Sequence, residues 1–187
     1  MTLENNPLII SSNYKYGAVP FDKIKLKHFM PALDYAIGEA DKAMETVKKN
    51  PDAPTFDNTA LPMECGTELM DMVANIYFNL MSAESDNKFK ELAQQISPKL
   101  SVFKNKVLLD PKLFIRVKTL YENRAKDGLK PEQKRLVEES YTDFIHNGAL
   151  LNETDKEKVR QFDEELSKLS PKFSQNTLNA TNDFTYH

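Results

Sequence analysis

Cysteine is almost missing from this chain. Cys65 is the only one among 187 residues, which excludes an internal disulfide and a cysteine-rich zinc site. Glycine is sparse too: five are too few for a sheet protein with many tight turns. No apolar run approaches the ~20 residues that a membrane-spanning helix requires. Residues 1–7 lack the basic start and apolar centre of a secretory signal. These absences point to a reducing cytoplasm. They also leave the glycosylation-like triplets Asn152-Glu153-Thr154 and Asn179-Ala180-Thr181 without meaning. The formal charge of -3 gives no electrostatic reason to bind nucleic acid, which needs a clustered basic surface. Lys23, Lys25 and Lys27, and likewise Lys48 and Lys49, are interrupted by Asp22, Asp41 and Glu45 and read as solvated faces.

What is present is helical rhythm. Hydrophobic residues at 40% and charged residues at 28% suit one ordinary domain with a sizeable core. In residues 154–182 the apolar positions Val159, Phe162, Leu166, Leu169 and Phe173 alternate steps of three and four, which places them on one face of an α-helix. Thr154 with Glu157 reads as its capping box. Pro171 predicts a kink near Leu169. A helix this long needs a partner surface along most of its length, so it is expected to be the spine of the assembly.

Five shorter helices are expected before it. The first runs over about 28–49, with Phe29, Leu33, Ile37, Ala40, Met44 and Val47 inward, and Asn50-Pro51 ends it. The second covers about 60–83, capped by Thr59 and burying Leu61, Cys65, Leu69, Val73, Ile76 and Leu80. Ser85-Asp86-Asn87 breaks the chain before a third helix over about 87–109, in which Pro98 predicts a kink. Asp110-Pro111 caps the fourth, and Pro131 opens a fifth that ends at Asn147-Gly148. Residues 1–21 read as an extended arm whose apolar side chains pack onto something else, and residues 22–187 as a helical domain. The fold class is therefore all-α, with about six mostly antiparallel helices.

No reaction centre is recognisable. His28, His146 and His187 form no H-E-x-x-H pair. His28 reads as a packed or surface side chain at a helix start, and His146 as a favourable partner for a helix dipole. Cys65 reads as a small buried hydrophobe. The pairs Glu138/Glu139 and Glu164/Glu165 are adjacent and so point to different helix faces, not into a shared cleft. There is no phosphate-cradling loop and no nucleophile elbow. The chain offers no catalytic, cofactor-binding or metal-binding residue of its own.

Several stretches taken in order nevertheless form a pattern. They are Pro20-Phe21-Asp22-Lys23-Ile24 with His28-Phe29-x-Pro31-Ala32, Pro54-Thr55-Phe56-Asp57-Asn58-Thr59, and Phe78-Asn79-Leu80-Met81-Ser82-Ala83-Glu84. Ile96-Ser97-Pro98-Lys99-Leu100-Ser101, Leu113-Phe114-x-Arg116-Val117-Lys118 and Glu132-Gln133 through Tyr141-x-x-Phe144 follow. Gly148-Ala149 with Asp155-Lys156, Glu165-Leu166-Ser167-x-Leu169-Ser170 and Ala180-Thr181-Asn182 complete it. From about Pro7 to Phe184 this resembles the N-terminal region of the thimet oligopeptidase and neurolysin family of zinc peptidases, and most of all its bacterial peptidyl-dipeptidase branch. The resemblance implies a helical domain that walls one side of a deep channel, admitting short peptides and excluding folded proteins. It also implies a zinc ion held downstream by an H-E-x-x-H helix, so that the cofactor belongs to the full-length parent and the missing C-terminal catalytic domain is the chief partner. Alone, the chain is then expected to be inactive and to expose an apolar face. The alternative is a stand-alone helical interaction module.

Overall fold

In a computed structural model the described residues are 3–10, 14–83 and 86–184, with Asn182 described by its backbone alone. Ser85 and His187 lie outside them. Six α-helices carry the architecture: α1 (Phe29–Lys49), α2 (Leu61–Ala83), α3 (Asn87–Leu108), α4 (Pro111–Asn123), α5 (Pro131–His146) and α6 (Glu153–Asp183). No strand occurs among the described residues. The boundaries at Asn50, Asp110 and Pro131 lie where the sequence puts them. Asp110 Oδ1 accepts hydrogen bonds from the backbone N–H groups of Lys112 and Leu113, satisfying donors that the first turn leaves free.

The first helix holds the centre. It runs antiparallel to α2, with the Phe29 ring edge-on to Tyr77 and Gly66 facing Ala43 and Met44. It runs parallel to α3, because Asp34 pairs with Lys99 and Asp41 with Lys106 at one constant offset. Beyond α3 lies α6, antiparallel to it: Lys156 Nζ donates to the Leu109 carbonyl and Ser101 Oγ to the Asp163 carbonyl. Helices α4 and α5 form a hairpin at the far end of α1, with Phe114 against Phe144, Tyr121 stacked on Tyr141, and Arg124 paired with Glu138. Phe29, Leu33, Val47, Val73, Tyr77, Ile96, Val117 and Phe144 are fully buried in the main core.

Three expectations are corrected here. The second helix does not start at a Thr59 cap. Thr55 is the cap, in a reciprocal box with Asn58, and Phe56–Ala60 wind as a π-helical turn whose carbonyl at Phe56 accepts from Leu61 N–H. That wider turn carries the chain into Pro62, which has no N–H to give it. Cys65 is exposed rather than buried, and Leu61 also faces outward. Val73 and Ile76 are buried as expected, but they are joined by Met70 and Tyr77 with Gly66 facing α1, because the glycine lets α1 approach closely and so fixes the helix's rotation. Finally, the cap of α6 is Asn152, whose Oδ1 accepts from Asp155 N–H. Thr154 lies inside the helix.

The spine helix departs furthest from the reading. It continues unbroken through Pro171, and α3 is its partner along much of its length. The face it presents to α3 is polar, however, made by Lys156, Asp163, Ser167 and Ser174. The apolar stripe lies about a third of a turn away and touches little. Phe162, Leu166, Leu169 and Phe173 are 66%, 56%, 53% and 72% exposed.

The segment expected to form an arm contains short 3-10 turns at Leu3–Asn5 and Lys15–Gly17. Leu8 is buried in the main core, while Ile10, Tyr14 and Tyr16 remain exposed.

Candidate functional site

An apolar cleft of about 450 Å³ lies where the end of α2, the first half of α3 and the second half of α6 converge. Phe78, Met81, Ala93, Pro171 and Leu178 supply its apolar walls, and Ser82, Ser97, Ser167, Ser170 and Ser174 its hydroxyls. Among the described lining residues Lys90 is the one ionisable group, and Gln175 contributes a buried Oε1 without a hydrogen-bond partner. Among the described residues that line this cleft there is no histidine and no carboxylate. Sequence reading by single-helix stripes missed it, since Ser167, Ser170 and Ser174 look like a solvated face until α3 is placed beside them.

The groups singled out for chemistry do not come together. His28 is buried at the start of α1, where its Nδ1 accepts from Lys25 N–H and its carbonyl accepts from Asn6 Nδ2. His146 ends α5, exposed. Glu138 turns to Arg124 while Glu139 turns to Arg135, and Glu164 pairs with Lys168. Among the described residues no three His, Cys, Asp or Glu side chains form a group that could hold a metal. A zinc ion therefore finds no fit in the described part of this chain, and no chemical step is assigned to one here.

Burial, then the charges of Lys27 and Lys25, hold the His28 imidazole below its ordinary pKa. The unfolded chain thus binds this proton more readily than the folded one. The resulting stability is fully present above the unfolded value of about 6.5 and is lost as pH falls through the lower folded value. Urea midpoints should fall between pH 7 and pH 5, and His28→Gln should fall less over the same interval. Parallel pH curves for the two proteins would contradict this.

A second polar feature is built on Arg116 of α4, nine-tenths buried. Its guanidinium donates to the carbonyls of Asn50 and Asp52, and to Asn58 Oδ1 and Thr59 Oγ1. Two of the stretches that carry the resemblance, 54–59 and 113–118, meet through this one side chain.

Comparison with known proteins bears on these stretches. No model of a protein family matches the chain. It is similar to the dipeptidyl carboxypeptidase of Escherichia coli (strain K12), with 32% identity over 175 residues, 94% of this chain and 26% of that protein. It is similar at 31% identity to the protein of the same name from Salmonella typhimurium, over 96% of this chain and 26% of that one. The oligopeptidase A of Haemophilus influenzae matches at 27% over 88% of this chain. The chain belongs to the thimet oligopeptidase and neurolysin family of peptidases. This family member spans about a quarter of the length of the curated relatives it matches. The chain is a helical portion of a peptidase. No described helix is long and apolar enough to cross a membrane.

Proposed function

We propose that this chain is the N-terminal helical wall of a cytoplasmic zinc peptidyl-dipeptidase, an enzyme that releases C-terminal dipeptides from short peptides. Residues 1–21 serve as its arm and 22–187 as its helical domain. The observation that carries the reading is 32% identity over 94% of the chain to a dipeptidyl carboxypeptidase of which the chain covers only 26%. The zinc, its ligands and the water it activates belong to the remaining polypeptide, which is the principal partner; short peptides are the substrates of the whole. The cleft between α2, α3 and α6 supports a binding role, since its described lining offers hydroxyls, the Lys90 ammonium and apolar walls.

Two measurements on the isolated chain test the division of labour. Calorimetric titration with zinc should show no tight stoichiometric binding, and incubation with short unstructured peptides should release no dipeptides. One tight zinc per chain, or dipeptide release that a chelator abolishes, would overturn it.

A further inference from the structure

Asp127-Gly128 and Asn147-Gly148 are the two places in this chain where glycine follows an aspartate or an asparagine. At such a pair the glycine nitrogen can attack the preceding side chain's Cγ, because no side chain on the glycine stands in the way. A five-membered succinimide results. At asparagine the N–Cγ bond forms as the Cγ–Nδ2 bond breaks, and ammonia leaves with the glycine N–H proton. At aspartate the bond broken is the C–O bond of the carboxylic acid, and water leaves with that proton. Water then reopens the ring at either carbonyl, giving aspartate or isoaspartate, in which the main chain runs through the side-chain methylene. Without a fold the asparagine pair reacts faster, since an ionised carboxylate resists attack at its carbon.

The fold treats the two pairs oppositely. Gly148, at a φ of 95°, closes a Schellman cap at the end of α5. Its N–H donates to the Ile145 carbonyl at 3.1 Å, and Ala149 N–H donates to the Phe144 carbonyl at 2.9 Å. Asn147 has a ψ of 8°, and its Nδ2 donates back along the helix to the Asp143 carbonyl at 2.8 Å. Ring closure needs a large rotation about that ψ and the loss of the glycine N–H proton, so the cap opposes both. Side chains crowd the site as well: a Cβ on Gly148 would lie 2.8 Å from Leu151 Cδ1. Phe144 and Ala149, both buried in the main core, anchor the cap.

Gly128 has none of these restraints. It lies past the end of α4 and is exposed, as is Asp127. Its N–H donates to no acceptor among the described residues, and nothing lies within 4 Å of where its Cβ would be. Asp127 makes no ion pair among the described residues. Both line an open cavity of about 590 Å³, which admits the water that reopens the ring.

We propose that Asp127 is the site at which this chain spontaneously forms isoaspartate, while the α5 cap holds the intrinsically faster Asn147 shut. The fold thus inverts the order of reactivity that the two pairs have in an unfolded chain. Isoaspartate at position 127 adds a methylene to the main chain between α4 and α5, beside Phe56 of the connector into α2. This inference does not depend on the peptidase reading.

The 187-residue chain, incubated in native buffer near neutral pH and then digested, should yield isoaspartate at Asp127 while Asn147 keeps its amide. Isoaspartate-specific methylation reads the first, because isomerisation leaves mass unchanged, and peptide mass reads the second. In urea the order should reverse, with Asn147 converting about a hundredfold faster than in native buffer, the opening equilibrium expected of two or three backbone hydrogen bonds. Asp127→Asn makes the chemistry of the two pairs the same, and its exposed position leaves the fold intact. In that variant position 127 should lose its amide at least about tenfold faster than Asn147 in native buffer, and at about the same rate in urea. Asn147 converting ahead of Asp127 in native buffer, or as fast as position 127 of the variant, would overturn the proposal. So would native buffer that yields no isoaspartate at Asp127 over an interval in which urea does.

Discussion

Arg116→Ala should unfold at a temperature about 10 °C below the native chain, the largest loss expected of any single substitution considered for this protein. The side chain is nine-tenths buried and pairs with no carboxylate among the described residues. It serves as a four-way donor between α4 and the connector that leads into α2, with contacts of 2.8–3.2 Å. Truncation leaves the Asn50 and Asp52 carbonyls and the fully buried Thr59 hydroxyl short of a donor, and opens a cavity besides. Hydrogen bonds to a charged donor contribute roughly 1.5–3 kcal/mol each when deleted singly, but they share one desolvation cost and do not add. A net loss of about 3 kcal/mol is therefore expected, a large part of the 5–15 kcal/mol that a domain has to spare. At this size, that corresponds to about 6–12 °C. Arg116→Lys should recover only part of it, since an ammonium cannot reach both sides of the fork. Thermal melts of the two variants that differ from the native chain by less than about 2 °C would show that the connector is held some other way.

Gly66→Ala should also destabilise, against the ordinary expectation for a helix interior. Propensity alone favours alanine by about 1 kcal/mol. The added Cβ, however, would lie 2.5 Å from the Ala43 Cβ of α1, a backbone-anchored methyl that cannot swing aside. Helices α1 and α2 must then separate where they pack most closely, and overpacking of this kind costs about 1–3 kcal/mol. The net effect is a loss of about 1–2 kcal/mol. Combining Gly66→Ala with Ala43→Gly should recover much of it, because the contact is restored with its partners exchanged. Chemical denaturation of the single and double variants measures both effects. A stabilised single variant would mean that the crossing is looser than the geometry indicates.

These two sites also show where sequence reading succeeds and where it stops. Helix number, order and most ends were legible because they are local. Asn50-Pro51, Asp110-Pro111 and Pro131 act on their own backbone, and the structure places boundaries at each. Which face of a helix turns inward is not local. For α2 the expected stripe holds at Val73 and Ile76 but not at Leu61 and Cys65, and only the approach of α1 to Gly66 turns Met70 and Tyr77 inward beside them. Tyr77, whose hydroxyl donates to the Phe89 carbonyl and whose burial pushes its phenol up to about 12, was missed for the same reason. For α6 the apolar periodicity was real and so was the expected partner, α3, but α3 packs on the polar face rather than on the stripe.

The cleft between α2, α3 and α6 was invisible in the sequence, since its lining comes from three helices with unremarkable individual patterns. The Arg116 knot was half legible. The stretches 54–59 and 113–118 were both part of the resemblance, but nothing in either says that they touch. Function followed the same division. The peptidase family required the order of many weak motifs rather than any single residue type, and the comparisons then showed that family.

The central claim, that this helical scaffold is one part of a zinc peptidyl-dipeptidase, is tested most directly by reading the gene of origin downstream of the His187 codon. The account predicts an open frame that brings the protein to about four times this length, as in its relatives, and that encodes an H-E-x-x-H helix. A stop codon immediately after His187 would contradict it.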